Sequence, residues 1–129
     1  LRILLLALIL LLPSLALAGE RLHLEKEYQA AWCTEGTMEF VLDDKARVDC
    51  LTDEYAVEFD FANKWAEAVG QALYYGIKTE RKPGIVLILE KDTDKGYLER
   101  LQTVAEKFNL KVWTVTPELM RSCQQNRMQ

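Results

Sequence analysis

The chain has 129 residues, a formal charge of −4, three cysteines and a single histidine. That length suits one small domain and not two. The acidic balance argues against a broad electrostatic attraction for nucleic acid, so any such contact has to be local; one histidine and widely spaced cysteines argue against a zinc site.

Residues 1–18, LRILLLALILLLPSLALA, combine one positive charge at Arg2, an apolar run over 3–12, a break at Pro13 and a small-x-small ending at Ala16 and Ala18. This is the pattern of a secretory signal peptide cut after Ala18, and the run is shorter than the roughly 20 residues a membrane span needs. An uncleaved anchor helix is the alternative. The expected mature domain is 19–129, exported to the periplasm or secreted, with no stable membrane association after cleavage. Losing Arg2 takes the formal charge from −4 to about −5.

Disulfides persist in such a compartment. Cys33 and Cys50 would close a short loop, a bridge that typically contributes ~3 kcal/mol, and they are the preferred pair. Cys123 is then free or intermolecular. Three buried thiols is the reading that spacing leaves open.

Over residues 20–32, Leu22, Leu24, Tyr28, Ala31 and Trp32 recur at helical spacing and predict a first helix, with His23 exposed on it. Strands are expected over 37–42, 46–51 and 55–61, joined by the turn residues Asp43-Asp44-Lys45 and Thr52-Asp53-Glu54, which makes an antiparallel meander. Residues 62–78 read as an amphipathic helix. Pro83-Gly84 punctuates, and 85–89 is a continuous apolar run of the kind buried on both sheet faces. Asp92 to Asp94 cap a helix over 95–108, a last strand follows over 111–115, and Pro117 with the polar SCQQNRMQ marks a fraying end. The order is α-β-β-β-α-β-α-β, an α/β fold.

The stretch RVDCLTDEYAVEFDFANKW, residues 47–65, holds five carboxylates. Alternation puts Glu58 and Asp60 on one face of their strand, with Val57, Phe59 and Phe61 on the other; Arg47 and Asp49 share a face opposite Val48 and Cys50. A hairpin that sets Asp49 beside Glu58 would gather carboxylates at a strand edge, where each raises the other's pKa unless a counter-charge is present. A divalent cation is an economical counter-charge and suits phosphodiester hydrolysis. Solvated pairing with Arg47, Lys45 or Lys64 suits the same residues.

The order from residue 20 to 89, with Asp49 in RVD, Glu58 in AVEFD and the pair Gln71 and Tyr75 in QALYY, resembles the PD-(D/E)XK nuclease superfamily, the restriction-endonuclease-like fold with a RecB-like QxxxY element. The resemblance covers most of the mature chain and leaves a C-terminal helix and strand as an extension. It implies a nuclease with Mg2+ or Mn2+ held by Asp49, Glu58 and, as an auxiliary ligand, Asp60. Gln71 and Tyr75 would orient the site or substrate. By similarity the first helix adds an acid, Glu27 in preference to Glu25. The sequence departs from the motif at Asp60, where the family has lysine; Lys64, in the first turn of the next helix, is the candidate to replace it. The implied partner is nucleic acid, DNA before RNA, and a homodimer is an expected state. The competing reading is a catalytically inactive secreted α/β binding or interaction module of the same fold. Lys78, Arg81 and Lys82 suggest a small phosphate patch or a solvated turn.

Overall fold

A computed structural model describes residues 20–127; the signal-peptide reading of 1–18 lies outside them. Among the described residues no helix is long and apolar enough to cross a membrane. The chain runs α1 (Glu25–Trp32), β1 (Thr37–Val41), β2 (Arg47–Leu51), β3 (Tyr55–Phe61), α2 (Trp65–Thr79), β4 (Lys82–Ile88), α3 (Lys95–Phe108), β5 (Lys111–Val115) and α4 (Pro117–Arg127), with single 3-10 turns at Ala62–Lys64 and Asp92–Asp94. The described residues form a mixed α/β fold of five strands and four helices.

The strands form one sheet in the order β1-β2-β3-β4-β5. The first three pair antiparallel, as the short turns require, while β3, β4 and β5 are parallel and linked through α2 and α3. One face of the sheet carries Val57, Phe59, Phe61, Val86 and Ile88 against Tyr28 of α1 and Leu119 and Met120 of α4. The other carries Ile85 and Leu87 against Ala68 and Ala72 of α2 and Leu101 and Ala105 of α3. Apolar contact on both faces explains the unbroken run of β4.

Three expectations need correction. The first helix starts at Glu25, not residue 20: the segment before it is held by Glu90, whose Oε1 accepts the Leu22 and His23 amides and the Tyr28 hydroxyl at 3.0–3.2 Å. His23 therefore precedes the helix, half-buried with its ring edge-on to Tyr28. Pro83 and Gly84 lie inside β4, where they pair with Ala56 and Val57. Proline near a strand start costs little ladder, and Gly84 is needed because a Cβ there would stand 2.7 Å from the Trp113 ring. Pro117 begins α4 and does not end the fold: at the first helical position its missing N–H is no loss, and Leu119 and Met120 give the helix enough apolar surface to dock beside α1.

Cys33, just after α1, and Cys50 in β2 form a disulfide across 17 residues, and Cys123 is free. Gly36 passes over the bridge so closely that a Cβ would meet Cys50 Sγ at 2.7 Å and Cys33 Sγ at 3.0 Å. The bridge fastens α1 to the residue next to Asp49.

Candidate functional site

Pairing between β2 and β3 stops at Cys50 with Val57, although β3 continues to Phe61. The residue that would come next on β2 is Asp49. Its Oδ2 accepts the Phe59 backbone N–H at 2.7 Å, so a side chain takes the place of a ladder bond. The β1–β2 ladder skips the same level: Met38 pairs with Cys50 and Phe40 with Val48, while Glu39, between them, has a left-handed φ of 53°. A glutamate in that region costs on the order of 1 kcal/mol and persists only where its surroundings hold it. Both neighbours of β2 thus lose regular pairing at Asp49.

The irregularity changes which side chains share a face. Val48 packs with Ala56 and Tyr75 under α2, whereas Cys50 packs with Tyr28 on the α1 side. The strict alternation that puts Val48 and Cys50 on one face is therefore incorrect, because the strand is kinked between them. On β3 the alternation holds. Phe59 and Phe61 enter the α1 core, and Glu58 and Asp60, level with Ile85 and Leu87, lie on the side covered by α2. Ala68 and Ala72 let that helix approach closely, and both acids are only 4% exposed.

Burial raises the pKa of Asp49 and of Glu58 first, and each feels the other. Glu58 shares a hydrogen bond with Asp49 that raises Glu58 and lowers Asp49, so the proton of the pair belongs on Glu58. No partner reaches Glu58 Oε2, which is buried. Asp60 is pushed up to about 7 by desolvation, opposed by the positive charge of Lys64 and reinforced by Glu25. Glu25 is itself raised, by burial first, with Lys64 again opposing. Its Oε1 accepts from Gln29 Nε2 at 3.3 Å, and Gln29 Oε1 is the second buried oxygen without a partner.

The structure sets Asp49 against Glu58, with Asp60 on the same face of β3 and within the field of Glu58. It adds Glu25, not Glu27, from α1: Glu27 turns back to accept the Leu24 N–H at 2.6 Å, capping its own helix. The cue for choosing Glu25 was its i, i+4 relation to a glutamine that the helix buries, a signal that only becomes readable once the inward face is fixed. Lys64 sits exposed at the start of α2 and acts through its charge on Asp60 and Glu25, without a close ion pair among the described residues. Gln71 and Tyr75 lie one turn apart on α2, the amide donating to the phenol at 3.5 Å. Burial raises the Tyr75 pKa, and Glu58 and Asp49 add to it, which puts the phenol within the field of the acids.

The solvated pairings do not form. Arg47 binds Glu39 at 3.4 Å, and Lys45 occupies a left-handed turn position. Lys78 pairs with Asp43 at 2.8 Å, Lys82 with Glu54 at 2.7 Å, and Arg81 donates to the Thr52 carbonyl, so the trio at the end of α2 and the start of β4 is engaged with the turns of the meander.

Among the described residues no three His, Cys, Asp or Glu side chains form a group that could hold a metal as they stand. The chemistry of the donors still fits magnesium, which commonly takes only one or two carboxylates and completes its octahedron with water and phosphate oxygens. The unpartnered Glu58 Oε2 is a hard oxygen of that kind, beside a second carboxylate and with no cation bonded to it. Compared with known families, known proteins and solved structures, the chain matches none.

Proposed function

We propose that this domain is an exported, metal-dependent nuclease of the PD-(D/E)XK type, hydrolysing phosphodiester bonds in nucleic acid. The observation that carries the reading is the coupled pair Asp49 and Glu58 at a break in the sheet, with Asp60 on the same strand face, Tyr75 within the field of the pair and one buried carboxyl oxygen unpartnered. The order of α1, the β1–β3 meander, α2 and β4 supports a restriction-endonuclease-like core, with α3, β5 and α4 as the extension. The Cys33–Cys50 bridge supports export.

Asp49 and Glu58 would hold Mg2+ or Mn2+, with Asp60 as auxiliary ligand; when bound, the ion supplies Lewis-acid stabilisation and an acidified water. Asp49 is oriented by the Phe59 amide, so it presents its second oxygen in a fixed direction. Lys64, on the solvent side of Asp60, is placed to steady negative charge on the phosphoryl oxygens as water attacks phosphorus and the ester oxygen leaves with a proton. Its long stem offers at position 64 the cation that the motif carries at position 60. Gln71, bonded to Tyr75, would orient the site or substrate with it, and DNA is the preferred substrate over RNA.

The test is incubation of the mature protein with single- and double-stranded DNA and RNA, with Mg2+, Mn2+ or chelator. Expected is cleavage that needs metal and disappears in Asp49→Ala. Absence of metal-dependent cleavage, or cleavage that Asp49→Ala leaves unchanged, rejects the reading, and absence of saturable metal binding favours a non-catalytic binding module.

A further inference from the structure

A cavity of about 590 Å3 opens at the carboxyl ends of β3 and β4, and the acids do not line it. Its wall includes Arg21 and Asn63 on one side and Lys91, Asp94, Tyr97 and Arg100 on the other. In an acidic chain this concentration of cations is unexpected. None of Arg21, Lys91 and Arg100 is in an ion pair among the described residues, whereas Arg47, Lys78, Lys82, Lys95 and Arg121 are. The cavity's one carboxylate, Asp94, is buried and turned inward, its Oδ2 accepting the Glu90 and Lys91 amides at 2.9 and 3.1 Å.

The cations are also held in place. The Arg21 guanidinium lies 3.8 Å over the Phe61 ring and donates to Asn63 Oδ1 at 2.6 Å. The Arg100 guanidinium lies 5.6 Å from the Tyr97 ring centroid. Stacked arginines lose little freedom on binding and leave donors pointing outward, the arrangement suited to phosphate oxygens. Tyr97 adds an aromatic face of the kind on which a base stacks. Asn63, which lines the cavity, directly precedes Lys64, so the chain passes from the acid-bearing end of β3 to the cavity within three residues of Asp60.

We infer that this cavity binds the phosphate backbone of a nucleic-acid strand beside the acid cluster, with Arg21, Lys91 and Arg100 as the phosphate contacts and Tyr97 as a stacking surface for a base. The inference rests on the nuclease reading for its substrate, and it supplies the local attraction that the overall charge lacks. Cations and carboxylates then serve adjacent phosphates, the strand being gripped at one and presented to the acids at its neighbour.

The experiment is fluorescence anisotropy of a labelled single-stranded DNA of about ten nucleotides, in chelator at pH 7, where no cleavage intervenes. Lys91→Ala and Arg100→Ala, both exposed and with no part in the core, are each expected to weaken binding about 5–10-fold and to lower the salt slope by close to one phosphate contact. Lys107→Ala, at the far end of α3, leaves it unchanged. A nucleoside monophosphate should compete far more weakly than the strand. Three results overturn the inference: no binding of the strand by the parent protein, variants that bind as the parent does, or a monophosphate that binds as tightly as the strand. The two readings separate cleanly. Cleavage by cavity variants with unchanged binding rejects the cavity alone, and cation-dependent binding without cleavage in Mg2+ rejects the nuclease alone.

Discussion

Replacing Glu58 with glutamine isolates the buried acid. In the folded, metal-free protein burial and the nearby Asp49 hold this carboxyl protonated well above its ordinary range, whereas in the unfolded chain it ionises near 4.5. Above that pH the unfolded state releases a proton that the folded state keeps, so rising pH favours unfolding. The stability that goes with the neutral form is fully present below about pH 4.5 and is lost as pH climbs toward the raised folded value. One proton held differently changes stability by about 1.4 kcal/mol per pH unit. Between pH 5 and 8 the ceiling is therefore about 4 kcal/mol, and relaxation of the pair with Asp49 reduces it to about 2, a sizeable share of the 5–15 kcal/mol of a small domain. Glutamine has the same shape, donates to Asp49 and has no proton to lose. Urea unfolding in chelator at pH 5, 6, 7 and 8 should show the parent losing stability steadily, and Glu58→Gln losing about half as much, the remainder coming from Asp60, pushed up to about 7, and Asp49, pushed up to about 6. Equal slopes for the two proteins would refute the reasoning.

Magnesium at about 100 times its Kd should stabilise the parent at pH 8 by roughly 2.7 kcal/mol, read as a thermal shift, and Glu58→Gln much less. Lys64→Ala should fold as stably as the parent because its side chain is exposed, and lose cleavage by about 10²–10⁴-fold in single-turnover assays. Reduction of Cys33–Cys50 should cost about 3 kcal/mol, visible as a lower melting temperature that Cys123→Ser does not mimic. Gly36→Ala should destabilise by ~1–3 kcal/mol, since its methyl has to displace the disulfide sulfur, and reduction should recover part of that loss.

What the sequence made legible follows from local rules. β3, α3 and β5 run over the residues that alternation and helical spacing predict, because each has one strongly apolar face and clear turn residues beside it. Glu58 and Asp60 were readable for the same reason, as was the i, i+4 relation of Gln71 and Tyr75. The kink at Asp49 was not. It depends on Glu39 adopting a left-handed conformation opposite it, and nothing in TMEFV distinguishes a glutamate that does so from one that pairs normally. Glu90 was equally hidden. It binds amides 67 and 68 residues earlier, a relation with no local signature, and it decides where α1 begins. The cavity cations come from three separated segments and converge only because β3 and β4 end side by side. The basic run that was conspicuous in the sequence, Lys78 to Lys82, is instead occupied in fastening turns.

The interruption of pairing on both sides of Asp49 gives this domain an unusual relation between regularity and use. An idealised sheet would continue its hydrogen bonds through this level, and a sequence selected only for resistance to heat would do so by exchanging Asp49 and Glu39 for β-branched residues. The repaired sheet would be sturdier, and the pairing of Asp49 with Glu58 would be lost. The defect is thus the part of the fold that stability selection alone would erase.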